Sequence, residues 1–366
     1  VQTGRLFLDI APQQRTEVLV PFSTPTPEPG VEYRLDVSFT LAQKTNWAPA
    51  GHEVAWDQLD LDIQTGAAKL QPASISGPLS VGEEDATLHI IGDDFEYKID
   101  KSSGRIISAI FRGIEMMKTG PQFNPWRAPT ANELERAWGP QILADEFRAA
   151  GLDRLEHEKL DLSLKNETDR AIMNVKTRAF VRGLTTRFEN HYTTTFFANG
   201  EIKMDVRVEC NGEMPEWLPR VGLKMSLPGD FNQLQWYGRG PFETYPDRKT
   251  GARIGVYSGN VAEQFVPYLI PQDNGVKTDV RWAVLTNDAG MGWFIQGEEN
   301  LCVSAHEYNL ENLDRAEHAF QLQKDGLVHL YLDQAVSGVG GTPIKTLEKY
   351  RVKPGTYEFT IRLKPF

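Results

Sequence analysis

The sequence predicts an all-β protein built from β-sandwiches. Apolar residues alternate strictly with polar ones in several segments, as at 202–210, where every second residue from Ile202 onward is apolar. Segments 33–41 and 356–363 alternate in the same way. Turn sequences that contain glycine separate the predicted strands, at 101–104, 198–200, 287–290 and 353–355. Many strands joined by such turns are typical of sandwiches rather than of a barrel with alternating strands and helices.

Helix is predicted only in two connecting segments, 144–160 and 311–318. In the first, Phe147, Leu152 and Leu155 are loosely spaced for one face of a helix. The second is long enough for two helical turns. Both segments are therefore expected to link strands rather than to form a helical layer.

A segment poor in aromatic residues and rich in Gly, Ala, Ser and Pro, 64–85, predicts a boundary between two domains. A small unit with a proline-rich turn at 24–30 precedes it, and one large β-unit follows. A seven-stranded sandwich takes roughly 100 residues. We therefore expect that the first strands of the small unit lie upstream of this sequence.

The composition narrows the possible partners. The 366 residues carry a formal net charge of −11, which repels phosphate backbones and anionic lipid and so argues against nucleic-acid and membrane partners. Neutral ligands such as sugars remain compatible with this charge. The sequence has no apolar run of transmembrane length and no signal-peptide pattern. Since Cys210 and Cys302 alone make no disulfide framework, we expect a cytoplasmic protein.

Familiar catalytic and metal-binding motifs are missing from the sequence. It has no G-x-S-x-G, no P-loop, no H-E-x-x-H and no Cys/His cluster, and its seven histidines are scattered. We therefore predict no metal site in this chain, and we expect its histidines to lie on the surface or to be hydrogen-bonded.

The segment WYGRGPFETYPDRKTG (236–251) allows two interpretations. Glu243 and Asp247 could form the carboxylate pair that glycoside hydrolysis requires. Alternatively, the glycines and prolines build a rigid turn, and Asp247 pairs with Arg248 or Arg239. We favour the rigid turn, because nearby cations lower carboxyl pKa values whereas a catalytic acid needs a raised one.

The segment FNPWRAPTANELERAWGP (123–140) is a candidate sugar-binding surface. It combines aromatic platforms with polar side chains that suit the ring faces and hydroxyl edges of a saccharide: Trp126, Arg127, Asn132, Glu133, Glu135 and Trp138. The alternative is a loop that tucks one tryptophan into the core, which fits Trp126 better than Trp138. A third segment, PYLIPQDNG (267–275), is predicted to be extended and to enter a turn.

Five segments, in order along the chain, resemble the C-terminal part of a glycoside hydrolase family 2 β-galactosidase. They span nearly the whole sequence: LFLDIAPQQ (6–14), WAPAGHEVAWDQLDL (47–61), WRAPTANE (126–133), WYGRGPFETYPDR (236–248) and PYLIPQDNG (267–275). The resemblance implies a truncated immunoglobulin-like sandwich at 1–66, a linker at 67–80 and a galactose-mutarotase-like β-supersandwich at 81–366.

The resemblance also implies what lies outside this chain. In the family, a sugar-binding jelly roll and a TIM barrel precede these domains, and the barrel carries the catalytic glutamates and any Mg or Na site. We therefore expect that the full-length protein hydrolyses terminal β-D-galactosides and forms a homo-oligomer. This chain alone is expected to contain no catalytic residue, to need no cofactor of its own and to be inactive.

By the same resemblance, the supersandwich lends loops to the rim of the sugar site. Arg127, Asn132, Glu133 and Trp138 are the substrate-rim residues that this implies. A second rim loop of the family presents a tryptophan, but the matching segment GVGGTPIKTLEKY (338–350) has none. Trp138 is our candidate to replace it.

Two other functions remain open from the sequence. The chain could be a small subunit that assembles with a separate catalytic chain. It could instead be an independent carbohydrate-binding or mutarotase-like module that uses His306 and a nearby glutamate. An upstream reading frame that encodes a barrel with paired glutamates would favour the β-galactosidase interpretation over both.

Overall fold

The computed structural model describes residues 1–63, 77–134, 142–341 and 345–366. The chain divides into two compact units, Val1–Pro72 and Ala73–Phe366. Strands dominate and helices are short, so the all-β prediction is confirmed. The finer boundaries at 66 and 80 stay a prediction. In the described residues, no helix is long and apolar enough to cross a membrane.

The first unit contains one antiparallel hairpin. Strand β1 (Arg34–Thr40) pairs with β2 (Glu53–Asp60), and Ser38 lies opposite Trp56. The strand expected at 33–41 is therefore present. Its apolar face is only partly covered within this unit, since Phe39 remains 49% exposed.

The second unit begins with a five-stranded antiparallel sheet in which each strand pairs with the next. Its strands are β3 (Ser80–Glu84), β4 (Thr87–Ile91), β5 (Phe95–Asp100), β6 (Arg105–Phe111) and β7 (Ile114–Met117).

A twelve-stranded sheet makes up the rest of this unit. Its strands are β8 (Thr119–Asn124), β9 (Glu156–Asn166), β10 (Arg170–Phe180), β11 (Arg187–Phe197), β12 (Ile202–Asn211), β13 (Arg220–Pro228), β14 (Gln233–Gly240), β15 (Arg253–Asn260), β16 (Lys277–Thr286), β17 (Gly292–His306), β18 (Leu327–Val336) and β19 (Thr356–Pro365). The main path runs β15-β14-β16-β17-β19-β12-β11-β10-β9. The long strand β17 also pairs with β18, which continues through β13 to β8.

Helical segments connect the strands. They are α1 (Ala131–Leu134), α2 (Leu143–Ala149) and α3 (Leu310–Arg315), with 3₁₀ turns at Val261–Gln264, Ala319–Gln321 and Glu348–Tyr350. The helix expected at 311–318 is present but ends at Arg315. The helix expected over 144–160 ends at Ala149, and its second half is strand β9 instead. Burial in this half alternates at every second residue, as it does in a strand and not in a helix, because His157 and Lys159 are less exposed than the residues on either side of them.

One hydrophobic core joins the two sheets of the second unit. The alternation at 202–210 buries the apolar face of β12, and Val206 lies opposite Phe359 of the neighbouring β19. From the five-stranded sheet, Tyr97 packs its ring 5.3 Å from that of Phe196 and donates a hydrogen bond of 2.5 Å to the carbonyl of Gly200. Burying each such large apolar side chain stabilises the fold by about 1.5–3 kcal/mol.

Candidate functional site

The candidate site forms where two loops leave the same end of the large sheet. Strands β8 and β18 both pair antiparallel with β13, so they run parallel to each other. Gly222 of β13 has Asn124 of β8 on one side and Asp333 of β18 on the other. The segments that follow β8 and β18 therefore emerge side by side.

Arg127 joins these two segments. It lies three residues beyond β8, and its side chain is only 1% exposed. One guanidinium nitrogen, Nη1, donates to the carbonyl of Ser337 at 2.8 Å. The other, Nη2, donates to the carbonyl of Gly338 at 3.1 Å and to Oε1 of Glu133 at 2.6 Å. A single buried arginine thus fixes the segment after β18 to the segment after β8.

Glu133 completes this clamp from within α1. Its side chain is 2% exposed, and its Oε2 accepts a hydrogen bond of 2.8 Å from the backbone N–H of Thr130 at the start of the helix. Burial alone would lower the pKa of Arg127, but the negative charges of Glu133 and Asp273 outweigh it and raise that pKa. Arg127 therefore stays charged inside the protein.

Segment 337–340 is also held through its other main-chain groups. The amide of Asn132 donates to the carbonyl of Val339 at 3.0 Å. Asp247 accepts hydrogen bonds from the backbone N–H groups of Val339 at 3.1 Å and Gly340 at 2.8 Å. Two chain segments far apart in sequence, 127–132 and the turn that contains Asp247, therefore hold this loop.

Glu243 anchors a neighbouring loop. Its Oε1 accepts hydrogen bonds from Arg248 and from the hydroxyl of Tyr268, and its Oε2 accepts one of 2.8 Å from the N–H of Gly275. With its oxygens held by these donors, the carboxylate is suited to fixing the turn rather than to transferring a proton.

The rigid-turn interpretation of 236–251 fits these contacts, but its predicted partners for Asp247 were wrong. Arg248 pairs with Glu243, and Arg239 pairs with Asp279 at 2.6 Å between Nε and Oδ2. Asp247 instead binds main-chain N–H groups. Local spacing suggested an arginine partner, whereas the true partner lies more than 90 residues further along the chain.

A buried network beneath these loops was missed by the sequence analysis. Arg220 donates to Asp333 at 3.1 Å and to Asp273, and Tyr245 donates its hydroxyl to Asp273 at 2.9 Å. Burial, then the charge of Asp273, raises the pKa of Tyr245 well above its ordinary value, so the hydroxyl stays protonated as a donor. The sequence signals were Tyr245 in the 236–251 segment and Asp273 in the 267–275 motif.

The two tryptophans of 123–140 have different outcomes. Trp126 is 4% exposed and belongs to the hydrophobic core, as the alternative interpretation proposed. Trp138 lies outside the residues that the structure describes, as does Glu135, so their predicted roles stay predictions. The rim roles of Arg127, Asn132 and Glu133 also stay predictions, since the contacts described above are all within this chain.

His306 lies between the rings of Phe265 and Tyr331, near Asp273 and Arg220 of the buried network. Burial lowers its pKa to about 4. Its Nδ1 has no hydrogen-bond partner among the described residues. Across all the residues that the structure describes, no group of three or more His, Cys, Asp or Glu side chains is arranged to hold a metal ion.

Comparison with protein families accounts for both units. The family model described as "Beta galactosidase small chain" matches residues 91–363, and that described as "Beta-galactosidase, domain 4" matches residues 1–62. This chain belongs to the β-galactosidase small-chain family. The match includes Arg127, Asp247 and the 337–340 segment that they hold.

Curated relatives extend the same family assignment. The chain is 32% identical over 371 residues to a β-galactosidase of Priestia megaterium and 27% identical over 379 residues to one of Vibrio vulnificus. Both alignments cover 100% of this chain but only 35% of the relative. Among solved structures, a galactose 1-epimerase from Lactobacillus acidophilus covers 80% of this chain and 99% of its own, at a TM-score of 0.44 and 8% identity.

Proposed function

We propose that this chain is the non-catalytic C-terminal part of a β-galactosidase that hydrolyses terminal β-D-galactosides. In this proposal its loops shape the rim of a sugar site built by a catalytic TIM barrel of the same protein. The observation that carries the proposal is the set of hydrogen bonds by which Arg127, Asn132 and Asp247 hold segment 337–340. The membership of this chain in the small-chain family supports it further.

The geometry supports an indirect role for two of the four rim residues. Arg127 and Glu133 are buried, so they would hold the rim loops in place rather than touch the sugar. Asn132 is partly exposed beside the held loop. We propose that Trp138 supplies the aromatic surface for the sugar ring, since stacking on an aromatic ring suits the apolar face of a pyranose.

The proposal extends to the setting of the whole protein. Its partners would be the barrel and jelly-roll domains, it would be a cytoplasmic homo-oligomer, and any Mg or Na site would lie in the catalytic part. The acidic net charge of this chain supports a neutral sugar as the ligand.

A chromogenic β-galactoside assay tests the proposal. The full-length protein should hydrolyse the substrate and this chain alone should not. In the full-length protein, Trp138→Ala should raise KM or lower kcat/KM several-fold, whereas Trp47→Ala, at an exposed tryptophan of the first unit, should leave both unchanged. Turnover by the chain alone would overturn the non-catalytic assignment, and unchanged kinetics in Trp138→Ala would overturn the role of that residue.

A further inference from the structure

A cavity of about 240 Å³ lies in the second unit, between β6 of the five-stranded sheet and the face of the twelve-stranded sheet formed by β8–β12. By volume it would hold about eight water molecules. Ligand pockets in proteins typically measure about 300–1,000 Å³, so this one suits a ligand smaller than a drug.

Arg105, the first residue of β6, lines this cavity, and Asp100 lies opposite it on β5. Burial lowers the pKa of Arg105 and outweighs the negative charge of Asp100, which acts to raise that pKa. Its Nη2 donates to the carbonyl of Gly120 at 3.3 Å, and its buried Nε has no hydrogen-bond partner. Among the described residues, no carboxylate lies within ion-pair distance of its guanidinium, whereas buried Arg127 and Arg220 are both paired. Because this guanidinium is partly removed from water and has no ion-pair partner among the described residues, an anion in the cavity would be stabilised.

Two residues of β9, Lys159 and His157, line the cavity, and of these only Lys159 adds positive charge. Lys159 donates from Nζ to the carbonyl of Lys101 at 2.5 Å and forms no ion pair within the described ranges. His157 forms no hydrogen bond to any described residue. Burial lowers its pKa to about 4, and the positive charges of Lys224 and Arg105 add to this effect. The carboxylate that lines the cavity, Glu158, lies on an exposed position of the strand.

The remaining walls are mixed in character. Side chains of Ile106, Met173, Val175 and Met204 line the cavity with apolar surface. The hydroxyl of Tyr192 accepts a hydrogen bond of 3.2 Å from the N–H of Phe123, and this hydroxyl can donate in turn. A ligand that fills this space therefore needs both a negative charge and a carbon skeleton.

We propose that the cavity binds a small organic carboxylate, whose charge is neutralised by Arg105 and Lys159 and whose carbon chain packs on the apolar wall. Arginine and carboxylate form charge-assisted hydrogen bonds, often two in parallel. The unused Nε of Arg105 provides one donor for such a contact. An inorganic anion such as phosphate would leave the apolar wall uncovered.

Isothermal titration calorimetry on the full-length protein tests this proposal, with sodium butyrate as the probe at constant ionic strength. Butyramide, which is neutral and nearly the same shape, and inorganic phosphate serve as comparison ligands. Arg105→Gln should weaken butyrate binding about tenfold or more, as expected for the loss of a charge-assisted contact. Arg112→Gln removes the same charge from an exposed site directly after β6 and should leave the Kd within about twofold of the parent.

A second variant keeps the test decisive if Arg105→Gln fails to fold. Lys159→Gln removes the other cation and should weaken binding about threefold, and circular dichroism checks that each variant folds. The proposal is overturned if butyramide or phosphate binds as tightly as butyrate. It is also overturned if folded Arg105→Gln, or folded Lys159→Gln where the first variant fails to fold, keeps the parent Kd.

Discussion

Replacing Arg127 by methionine removes the cation that holds three groups at the candidate site. The substitution leaves Glu133 buried at 2% exposure without its partner, and it removes the donors to the carbonyls of Ser337 and Gly338. Breaking a buried ion pair by deleting one partner costs about 3–5 kcal/mol. We therefore expect Arg127→Met to lower the free energy of unfolding by about 4 kcal/mol, as measured by urea denaturation with tryptophan fluorescence.

Two further variants make this prediction specific. Arg127→Met/Glu133→Met removes both charges and should be less destabilised than Arg127→Met alone, because no unpaired buried charge remains. Arg154→Met removes an arginine that pairs with Asp153 at the surface, at 2.7 Å, and should cost less than about 1 kcal/mol. A loss of about 1 kcal/mol or less for Arg127→Met would refute the reasoning that the clamp is a buried ion pair.

Two other predictions concern packing and pH. In Gly338→Ala the new Cβ would lie 2.5 Å from Cγ of Asp247, so we expect a loss of about 1–3 kcal/mol in the free energy of unfolding. Gly355→Ala, with no atom within 4 Å of its Cβ, should be close to neutral in the same urea titration. Equal effects of the two substitutions would contradict the close fit at Gly338. Because the pKa of His157 falls from 6.5 to about 4 on folding, the unfolded chain binds more protons between these values, and stability is lost as pH falls through that window. Relative to His157→Phe, the parent should lose about 3 kcal/mol in the free energy of unfolding between pH 7 and pH 4. If the free energies of unfolding of the two proteins change with pH in parallel across this range, His157 does not titrate in this way.

Much of the fold could be predicted because alternation directly reports which face of a strand is buried. Strand β12 illustrates this, since its apolar residues from Ile202 to Val208 all lie in the core. Residues 156–160, the start of β9, were misread as helix because a run of charged residues that ends in a leucine fits an exposed helix and an edge strand almost equally well. Pairing with β10, a contact at a distance in sequence, decides between them.

The candidate site could be predicted only as a set of motifs. The segments around Arg127, Glu243 and Asp273 were recognised by local composition and by resemblance. Their partners were not, because Arg127 contacts residues 210 and 211 positions away, and Arg220 contacts Asp333 at 113. Such pairs depend on the order of strands in the sheet, and no local spacing encodes that order.

The segment 337–340 is held by its backbone and by two of its side chains, since the Ser337 hydroxyl donates to the carbonyl of Leu218 at 2.6 Å and Val339 packs in a small apolar cluster. Arg127 and Asn132 donate hydrogen bonds to its carbonyls, and Asp247 accepts hydrogen bonds from its N–H groups. Since the loop is fixed both by main-chain hydrogen bonds and by buried side chains, its path depends on residues elsewhere in the chain, at 127, 132 and 247, as much as on its own sequence.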